Sequence, residues 1–464
     1  HAGTRLDFAS HHGMNFRKTL SAWKDDRLLG AVIRNSGYLF SSSTIAMILT
    51  SVQGILAAVL LGPSDYGALG ILILFATSVN RLLSFRMGEV VIRYAGGALE
   101  RGDRTQAAAV VKTAGLSEAV TSLAAYAILI LLSPWAAQVF IKNPAAAPLI
   151  AYYGLALLAN LVAETATAVL QLGSHYRGQA VVNVLQSLVT AAWITAAYFT
   201  GGGLVEVLNA YLAGKTINGL GLTLLALRRA PQHLGAGWLR TPLRLLSGWR
   251  GVARFALSTN LSGTINLVIR DSEVLWVGLF FNNAAAGYYK FALAMMSLIL
   301  MPITPFISTT FPDITRSVAR RDWPTLRRLL SRTTWIAGLW TTACALGLVT
   351  LGPWLLVWLK DGAYLPSFGA MLILLVGYGA ANIFFWNRPL LLALGLPNYP
   401  LKVTALTGAV KTVLMFALAR PLGYLFQAAL LSGYFLVSIG LIVRRGLVEV
   451  AREERQQGDS SAEG

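Results

Sequence analysis

The stretch INLVIRDSEVLWVGLFFNNAAAGYYKFALAM, residues 265–295, decides the fold. Two apolar segments flank a short turn at Asn282-Asn283, and the segment before the turn carries three charged residues. A helix needs about 20 predominantly apolar residues to cross a bilayer, and segments of this kind recur along the whole chain. Hydrophobic residues make up 55% of the 464 residues, charged residues 12%, and the mean hydropathy is +0.60. The sequence therefore predicts an all-α integral membrane protein.

Twelve membrane spans account for nearly all of the chain. Their approximate limits are 36–61, 66–91, 108–132, 148–172, 180–200, 204–228, 255–280, 285–311, 334–358, 366–394, 401–419 and 421–443. Since about 20 residues are needed for each crossing, the length leaves room for little besides these spans and their connections.

The basic residues outside the spans are distributed very unevenly. With both termini on the cytoplasmic side, the inner segments hold 27 Lys and Arg, whereas the outer loops hold only Lys142, Lys360 and Arg420. Cytoplasmic loops carry the orienting positive charge of a membrane protein. The sequence thus predicts a multi-pass protein of a bacterial cytoplasmic (inner) membrane with both termini inside. The net charge of +18 is explained without nucleic acid as a partner.

The spans suggest two lobes of six helices. We predict an N-terminal lobe at 14–230, a cytoplasmic amphipathic connection at 231–254, a C-terminal lobe at 255–445 and a polar cytoplasmic tail at 446–464. Residues 1–13, which precede Met14, are interpreted as an upstream extension or a cloning remnant outside the fold. Apolar side chains among arginines at 228–250 favour an amphipathic helix on the inner leaflet, and the tail from residue 451 is expected to be disordered.

Two turns in corresponding positions of the lobes are similar. LLGPSDYG (60–67) follows the first span and FFNNAAAGYY (280–289) follows the seventh, and each is a turn of small residues with Gly and Tyr leading into the next span. Related halves of this kind predict a site between the lobes that opens to one side and then to the other.

These segments carry a family resemblance. LLGPSDYGALGIL (60–72), GEVVIRYAGG (88–97), the stretch 265–295 and TRSVARRDWPTLRRLLSRT (315–333) resemble, in order and spacing, the Wzx-type polysaccharide (O-antigen) flippases. That family belongs to the MOP superfamily, which also contains MATE exporters and lipid II flippases. The resemblance implies a monomeric, two-lobed transporter of lipopolysaccharide biosynthesis. It would move undecaprenyl-pyrophosphate-linked oligosaccharide from the cytoplasmic to the periplasmic leaflet by alternating access.

Several ionisable residues fall inside the predicted spans, where each costs roughly 2.5–3.5 kcal/mol unless it is paired or faces water. Four basic residues are expected to line a cationic cavity for the substrate pyrophosphate, and Lys411 is added as a fifth. The first four are Arg81, Arg86, Lys215 and Arg270. Guanidinium forks and ammonium groups would replace the hydration of the pyrophosphate. Snorkelling to an interface is the alternative for Arg81, Lys215, Arg270 and Lys411.

Four acids are candidates for a coupling or a structural role, namely Glu89, Glu164, Asp271 and Glu273. Spacings of three or four residues favour local ion pairs of Glu89 with Arg86 or Arg93, and of Glu273 with Arg270. Asp271 could instead anchor a basic residue of a neighbouring helix. Asn160 lies four residues before Glu164 and could share its site.

No nucleotide-binding, metal-ligating or hydrolase motif occurs in the sequence. We therefore expect a transporter that is not an enzyme and needs no cofactor, coupled to H⁺, to Na⁺ or to the membrane potential, which favours outward movement of anions. The alternatives are a MATE-like cation-coupled multidrug antiporter and a lipid II flippase. A membrane glycosyltransferase or ligase would require a large outer loop, which the sequence lacks. A non-transporting scaffold does not account for the charges inside the spans.

Overall fold

The structure of the chain, a computed structural model, describes residues 27–246 and 248–462. Every regular element in these residues is a helix, and none of them forms a strand. The all-α fold predicted from hydropathy is confirmed. The predicted extension at 1–13 lies outside the described residues.

The N-terminal half contains six helices, which we number α1 to α6 in the order of the predicted spans. Helix Arg27–Leu83 is divided by a kink at Gly62; α1 is the part before the kink, and α2 begins after it. The next four helices are α3, Arg104–Ala136; α4, which consists of Ala147–Tyr153, Leu155–Ala159 and Ala163–Leu172; α5, Tyr176–Thr200; and α6, Leu204–Leu234. After a break at 84–86, α2 continues through Met87–Val90, a π-helical turn at Val91–Ala95, and Gly96–Glu100. A second π turn, Ala137–Ile141, ends α3.

The C-terminal half contains six more helices, α7 to α12. α7 consists of Trp249–Asn266, a π turn at Leu267–Asp271, and Glu273–Phe280; α8 consists of Asn283–Leu300 and Thr304–Ala319; α9 is Trp323–Trp358; α10 consists of Ser367–Ile383 and Asn387–Ala393; α11 is Asn398–Leu422; and α12 is Tyr424–Ala462.

Each of the twelve predicted spans thus corresponds to a helix within the described part of the chain. Eight helical segments there are long and apolar enough by themselves to cross a membrane, and one of the eight, Thr44–Glu100, contains residues of both α1 and α2. The three remaining helices, α6, α7 and α8, do not meet that standard alone. α7 carries three charged residues in and beside its π turn, and α8 is interrupted at 301–303. The protein is a multi-pass helical membrane protein.

Connections between helices gather at two ends of the bundle. The Arg-poor end contains the turns between α1 and α2, α3 and α4, α7 and α8, and α9 and α10, and side chains join these turns directly. Lys142 donates to the carbonyl of Phe281, and Lys360 donates to the carbonyl of Leu60 at 2.8 Å. The Arg-rich end contains the connections between α2 and α3, α6 and α7, and α8 and α9.

The two similar turns of the sequence lie against each other at the Arg-poor end. A Cβ added to Gly67 would lie 1.8 Å from the carbonyl oxygen of Asn283, and one added to Gly287 would lie 1.9 Å from that of Pro63. Only glycine allows two helix backbones to approach so closely. Nearby, the ammonium of Lys290 donates to the Tyr66 carbonyl at 3.2 Å and lies 3.8 Å from the Tyr66 ring centroid. The N-terminal and C-terminal halves therefore close tightly on each other at this end.

The prediction of an amphipathic helix over residues 228–250 is wrong between the end of α6 at Leu234 and the start of α7 at Trp249. The structure has two short 3₁₀ turns there, Trp238–Arg240 and Leu243–Leu245. Gly235 and Gly248 have positive φ, and Pro242 lacks the N–H that a helix interior requires, so a continuous helix cannot form. Lys112 of α3 donates to the carbonyl of Thr241 at 3.0 Å and fixes the connection against the N-terminal half.

The expectation of a disordered tail is also wrong for its described part. α12 continues to Ala462, and its residues 451–457 (AREERQQ) consist of good helix formers. Glu454 pairs with Arg327 of α9 at 2.5 Å, and Gln457 accepts a hydrogen bond from the Trp323 indole at 2.7 Å. These contacts with α9 give the polar extension a partner on the bundle.

Candidate functional site: a charged crevice between the two halves

An arginine from each half shares one carboxylate. Arg81 near the end of α2 lies 2.9 Å from one oxygen of Asp271, and Arg270 lies 3.1 Å from the other. The two arginine side chains are 54% and 49% exposed, within two of the spans predicted from the sequence. Charged groups at this depth that are exposed must face water or a polar ligand, because contact with lipid would be too costly. Asp271 therefore anchors a basic residue of another helix, which is one of the two roles expected for it.

The π turn at Leu267–Asp271 separates the charges of α7. Arg270 and Glu273 do not form the expected local ion pair, because the helix is wound with an extra residue and Ser272 is not helical. Arg270 pairs with Asp271 on the exposed side, whereas Glu273 is 1% exposed and points into the C-terminal half. One break in the helix thus sends neighbouring charges to opposite sides of α7.

Lys411 lies away from the exposed charges. Its ammonium, 2% exposed, binds the carboxylate of Glu273 and donates to the carbonyl of Ile269 at 2.5 Å. The other carboxylate oxygen of Glu273 accepts from the hydroxyl of Tyr289 at 2.8 Å and from the amide of Gln427 at 3.3 Å. This buried network joins α7, α8, α11 and α12. The geometry suits a structural clamp, and Lys411 does not lie beside the four other predicted basic residues.

The break at 84–86 turns Arg86 towards the N-terminal half. Its φ of +49° is unusual for a residue with a side chain, and its guanidinium lies 3.2 Å from Glu89. Arg93, the alternative partner for Glu89, lies instead 4.6 Å from the ring centroid of Phe255 on α7. The π turn at 91–95 intervenes, so the four-residue spacing does not place Glu89 and Arg93 together.

Asn260 of α7 stabilises this break. Its side-chain amide donates to the carbonyl of Ser84, and more weakly to that of Arg81 at 3.4 Å. These carbonyls lie at the end of a helix, where no N–H of the next turn is present to bind them. A residue of the C-terminal half thus caps a helix of the N-terminal half at the point where the basic residues face the crevice.

Glu164 and Lys215 complete the group from the N-terminal half. Both side chains are exposed; the carboxylate of Glu164 interacts electrostatically with Arg86, Glu89 and Arg81, and the ammonium of Lys215 is repelled by Arg81. Asn160 does not share the Glu164 site, because α4 is interrupted between them; its amide instead donates to the carbonyl of Lys215 at 3.1 Å.

We call this group the charged crevice. Its basic members come from α2, α6 and α7, and its acidic members from α2, α4 and α7. The members are Arg81, Arg86, Lys215, Arg270, Glu89, Glu164 and Asp271. Three of these residues, Arg86, Glu89 and Glu164, line a cavity of about 340 Å³ whose walls come from α2, α4 and α6. Four basic groups and three acidic ones leave one net positive charge when all are ionised.

The sequence interpretation missed Glu118. This carboxylate of α3 is 4% exposed and accepts the backbone N–H groups of Glu164 at 2.8 Å and Thr165 at 2.9 Å. It therefore caps the last helical piece of α4, Ala163–Leu172, at the residue whose side chain faces the crevice. A single acid within an apolar span was a visible signal, because such a group requires a partner.

Glu118→Ala is expected to destabilise the protein and to loosen α4. Each buried N–H that loses its acceptor costs about 1–3 kcal/mol, and two N–H groups are affected. The measurement is thermal unfolding of purified protein, together with amide hydrogen exchange over residues 160–166. Glu118→Gln retains one oxygen acceptor and should lie between the wild type and the alanine variant. Unchanged exchange in Glu118→Ala would contradict a capping role.

The fold is similar to that of several solved membrane transporters. The structure superposes on the inward-facing conformation of a multidrug resistance MATE family transporter of the MOP superfamily with a TM-score of 0.66 and 14% identity, over 88% of this chain and 96% of that one. For lipid II flippase MurJ in an inward closed conformation the TM-score is 0.67, with 11% identity and 90% of each chain covered. An outward-facing MATE family transporter gives a lower TM-score, 0.56, at 14% identity over 91% and 96% of the chains. The chain therefore has a MATE-like fold, which MurJ shares.

Family membership follows from the sequence. The polysaccharide biosynthesis protein family matches residues 55–359, and the chain belongs to that family. The inner membrane protein YghQ of Escherichia coli (strain K12) is 24% identical over 310 residues, which cover 66% of this chain and 86% of that protein. The family match thus extends from α1 through the N-terminal half and into the C-terminal half, as far as the end of α9.

Proposed function

We propose that this protein is a flippase that moves undecaprenyl-pyrophosphate-linked oligosaccharide from the cytoplasmic to the periplasmic leaflet. The observation that carries the proposal is the charged crevice, in which basic side chains from both halves meet inside a membrane bundle. Membership of the polysaccharide biosynthesis family and the likeness of the fold to lipid II flippase MurJ support a lipid-linked substrate. The Wzx resemblance of the sequence supports the oligosaccharide.

The arrangement of Arg81, Asp271 and Arg270 suits a pyrophosphate. A pyrophosphate diester carries about two negative charges, and its oxygens match the planar fork of a guanidinium. A bound pyrophosphate would compete with Asp271 for Arg81 of the N-terminal half and Arg270 of the C-terminal half. Substrate binding would therefore weaken the Arg81–Asp271 bridge, which measures 2.9 Å and joins the halves at the level of the crevice. This exchange links headgroup binding to relative movement of the halves.

The direction of transport follows from the predicted orientation. With the Arg-rich end in the cytoplasm, the tight contact of Gly67 and Gly287 closes the periplasmic side while the crevice receives substrate from the inside. The membrane potential favours outward movement of anions by about 2.3 kcal/mol per charge per 100 mV. Coupling to H⁺ or Na⁺ at Glu164 or Asp271 would supply a further driving force.

Reconstituted flipping tests the function directly. In liposomes that contain undecaprenyl-pyrophosphoryl oligosaccharide, we expect the wild type to expose the sugar on the opposite leaflet, faster under a potential that drives anions outward. Arg270→Ala should lower the rate about 10- to 100-fold, since a hydrogen bond to a charged group contributes about 1.5–3 kcal/mol. The control is Arg316→Ala, which removes an arginine of the Arg-rich end that is at least as exposed as Arg270. An unchanged rate in Arg270→Ala, at equal amounts of folded protein, would contradict the assignment of the crevice.

A MATE-like cation-coupled antiporter is the second candidate. The fold of a multidrug MATE transporter and the three acids of the crevice favour it. It predicts cation-driven efflux of small amphiphiles that depends on Glu164 and Asp271, with no movement of lipid-linked sugar.

A further inference from the structure

An apolar groove adjoins the charged crevice. It has a volume of about 540 Å³ and runs between α2, α3 and α7 near the Arg-rich end. Its walls include Phe85, Met87, Val90, Val120, Leu246 and Trp249. None of its described lining residues carries a charge. The groove is thus chemically opposite to the crevice.

The groove and the crevice share one wall, the break in α2. Phe85 and Met87 line the groove, whereas Arg86 between them lines the cavity with Glu89 and Glu164. The left-handed backbone at Arg86 separates its side chain from those of its two neighbours. The charged site and the apolar site therefore adjoin each other at Arg86, whose two neighbours in sequence line the apolar one.

We propose that this groove holds the isoprenoid chain of the lipid-linked substrate while the crevice holds its pyrophosphate. The inference rests on the proposed function and adds the path of the lipid tail. In such a substrate the charged diester is bonded directly to an apolar chain, so its binding site needs a charged and an apolar part with no polar spacer between them. The α2 break supplies that junction.

The connection between the halves gives the groove its floor. Leu243 and Leu246 line it, and Trp249 lies where α7 begins. The hydrogen bond from the Lys112 ammonium to the Thr241 carbonyl holds this connection against α3. A second apolar groove of about 240 Å³ lies on the other side of α3 and is bounded by Leu116, Val169 and Trp238. It is smaller and shares no lining residue with the α2 break, so we assign the tail to the first groove.

Site-specific photocrosslinking tests the proposal. p-Benzoylphenylalanine is placed at position 120 in the groove, at 119 in the second groove, or at 131, where the side chain of Leu131 on the same helix is 78% exposed. Each protein is reconstituted with radiolabelled undecaprenyl-pyrophosphoryl oligosaccharide and irradiated. We expect labelling at 120 to exceed that at 119 and 131 several-fold, and to fall to their level in Arg270→Ala, which loses the headgroup anchor.

A second variant measures the consequence for transport. Val120→Trp adds an indole to the exposed edge of the groove and should slow flipping of the undecaprenyl substrate at least about tenfold, since small misplacements of a bound group already have effects of this size. Binding of inorganic pyrophosphate should not change, because the crevice is intact. Ala119→Trp is the matched control and should leave both properties unchanged.

The outcomes separate the two proposals. The inference is wrong if the wild type flips the substrate but the substrate crosslinks equally at positions 119, 120 and 131. It is also wrong if a photoreactive phospholipid crosslinks at position 120 whether or not Arg270 is present. Either result would mean that bulk lipid fills the groove. If the wild type moves no lipid-linked sugar, the proposed function fails as well.

Discussion

Lys411→Met is expected to destabilise the folded protein by about 3–5 kcal/mol, the range measured when one partner of a buried ion pair is removed. Lys411 and Glu273 are 2% and 1% exposed, so no water can take the place of the missing ammonium. The substitution also leaves the carbonyl of Ile269 without its donor. The measurement is equilibrium unfolding of the purified protein in detergent, followed by tryptophan fluorescence.

The double variant Lys411→Met/Glu273→Leu is the control for this prediction. Replacement of both partners of a buried ion pair by apolar residues is often neutral for stability. The double variant should therefore recover most of the loss, although Tyr289 and Gln427 each lose an acceptor. A double variant as unstable as the single one would mean that the pair itself is not what stabilises this network. A flipping rate close to that of the wild type in the folded double variant would support a structural role for Lys411.

Gly287→Ala is expected to force the two halves apart at the Arg-poor end. The added methyl group would lie 1.9 Å from the Pro63 carbonyl oxygen and 2.8 Å from its carbon, and backbone atoms cannot avoid it by changing rotamer. Overpacking of a core typically costs about 1–3 kcal/mol, and a penalty of 3 kcal/mol on one conformation shifts its population about 100-fold. The arrangement closed at this end should therefore become the minor one.

Distances between spin labels measure this shift. Labels at Asp65 and Asn282, in a protein whose single cysteine, Cys344, has been replaced by serine, should lie farther apart in Gly287→Ala than in the wild type. Gly338→Ala is the matched control, because a Cβ there meets no neighbouring atom. If Gly287→Ala left the label distance unchanged, the contact between the glycines would not determine the closed state.

Local patterns in the sequence predicted most of the fold. Hydropathy gave the twelve helices because each helix is defined by its own composition, and Pro302 lies in the interruption of α8 at 301–303. The sequence also identified the turns at 60–67 and 280–289 as similar, but it could not show that Gly67 and Gly287 touch. That contact depends on how two distant helices pack, which no local pattern specifies.

The charged residues show where prediction from spacing fails. A spacing of three or four residues is sure to bring side chains together only on an unbroken α-helix, and π turns interrupt the Arg270–Glu273 and Glu89–Arg93 spacings. Arg270 and Glu273 consequently face opposite sides and Glu89 does not pair with Arg93, whereas the predicted pair of Glu89 with Arg86 forms. The partner of Lys411 lies 138 residues away along the chain, so no local pattern could distinguish Lys411 from the basic residues of the crevice.

The separation of Lys411 and Glu273 has a consequence for biosynthesis. α7 is completed well before α11, and at about 5–20 residues per second the 138 residues between the partners take on the order of ten seconds to synthesise. During that interval α7 holds Arg270, Asp271 and Glu273 without the ammonium that later neutralises the buried carboxylate. It also does not by itself meet the combined standard of length and apolarity for a membrane-spanning helix. Stable insertion of α7 is therefore expected to await the arrival of α11, so the C-terminal half should enter the membrane as a unit and not helix by helix.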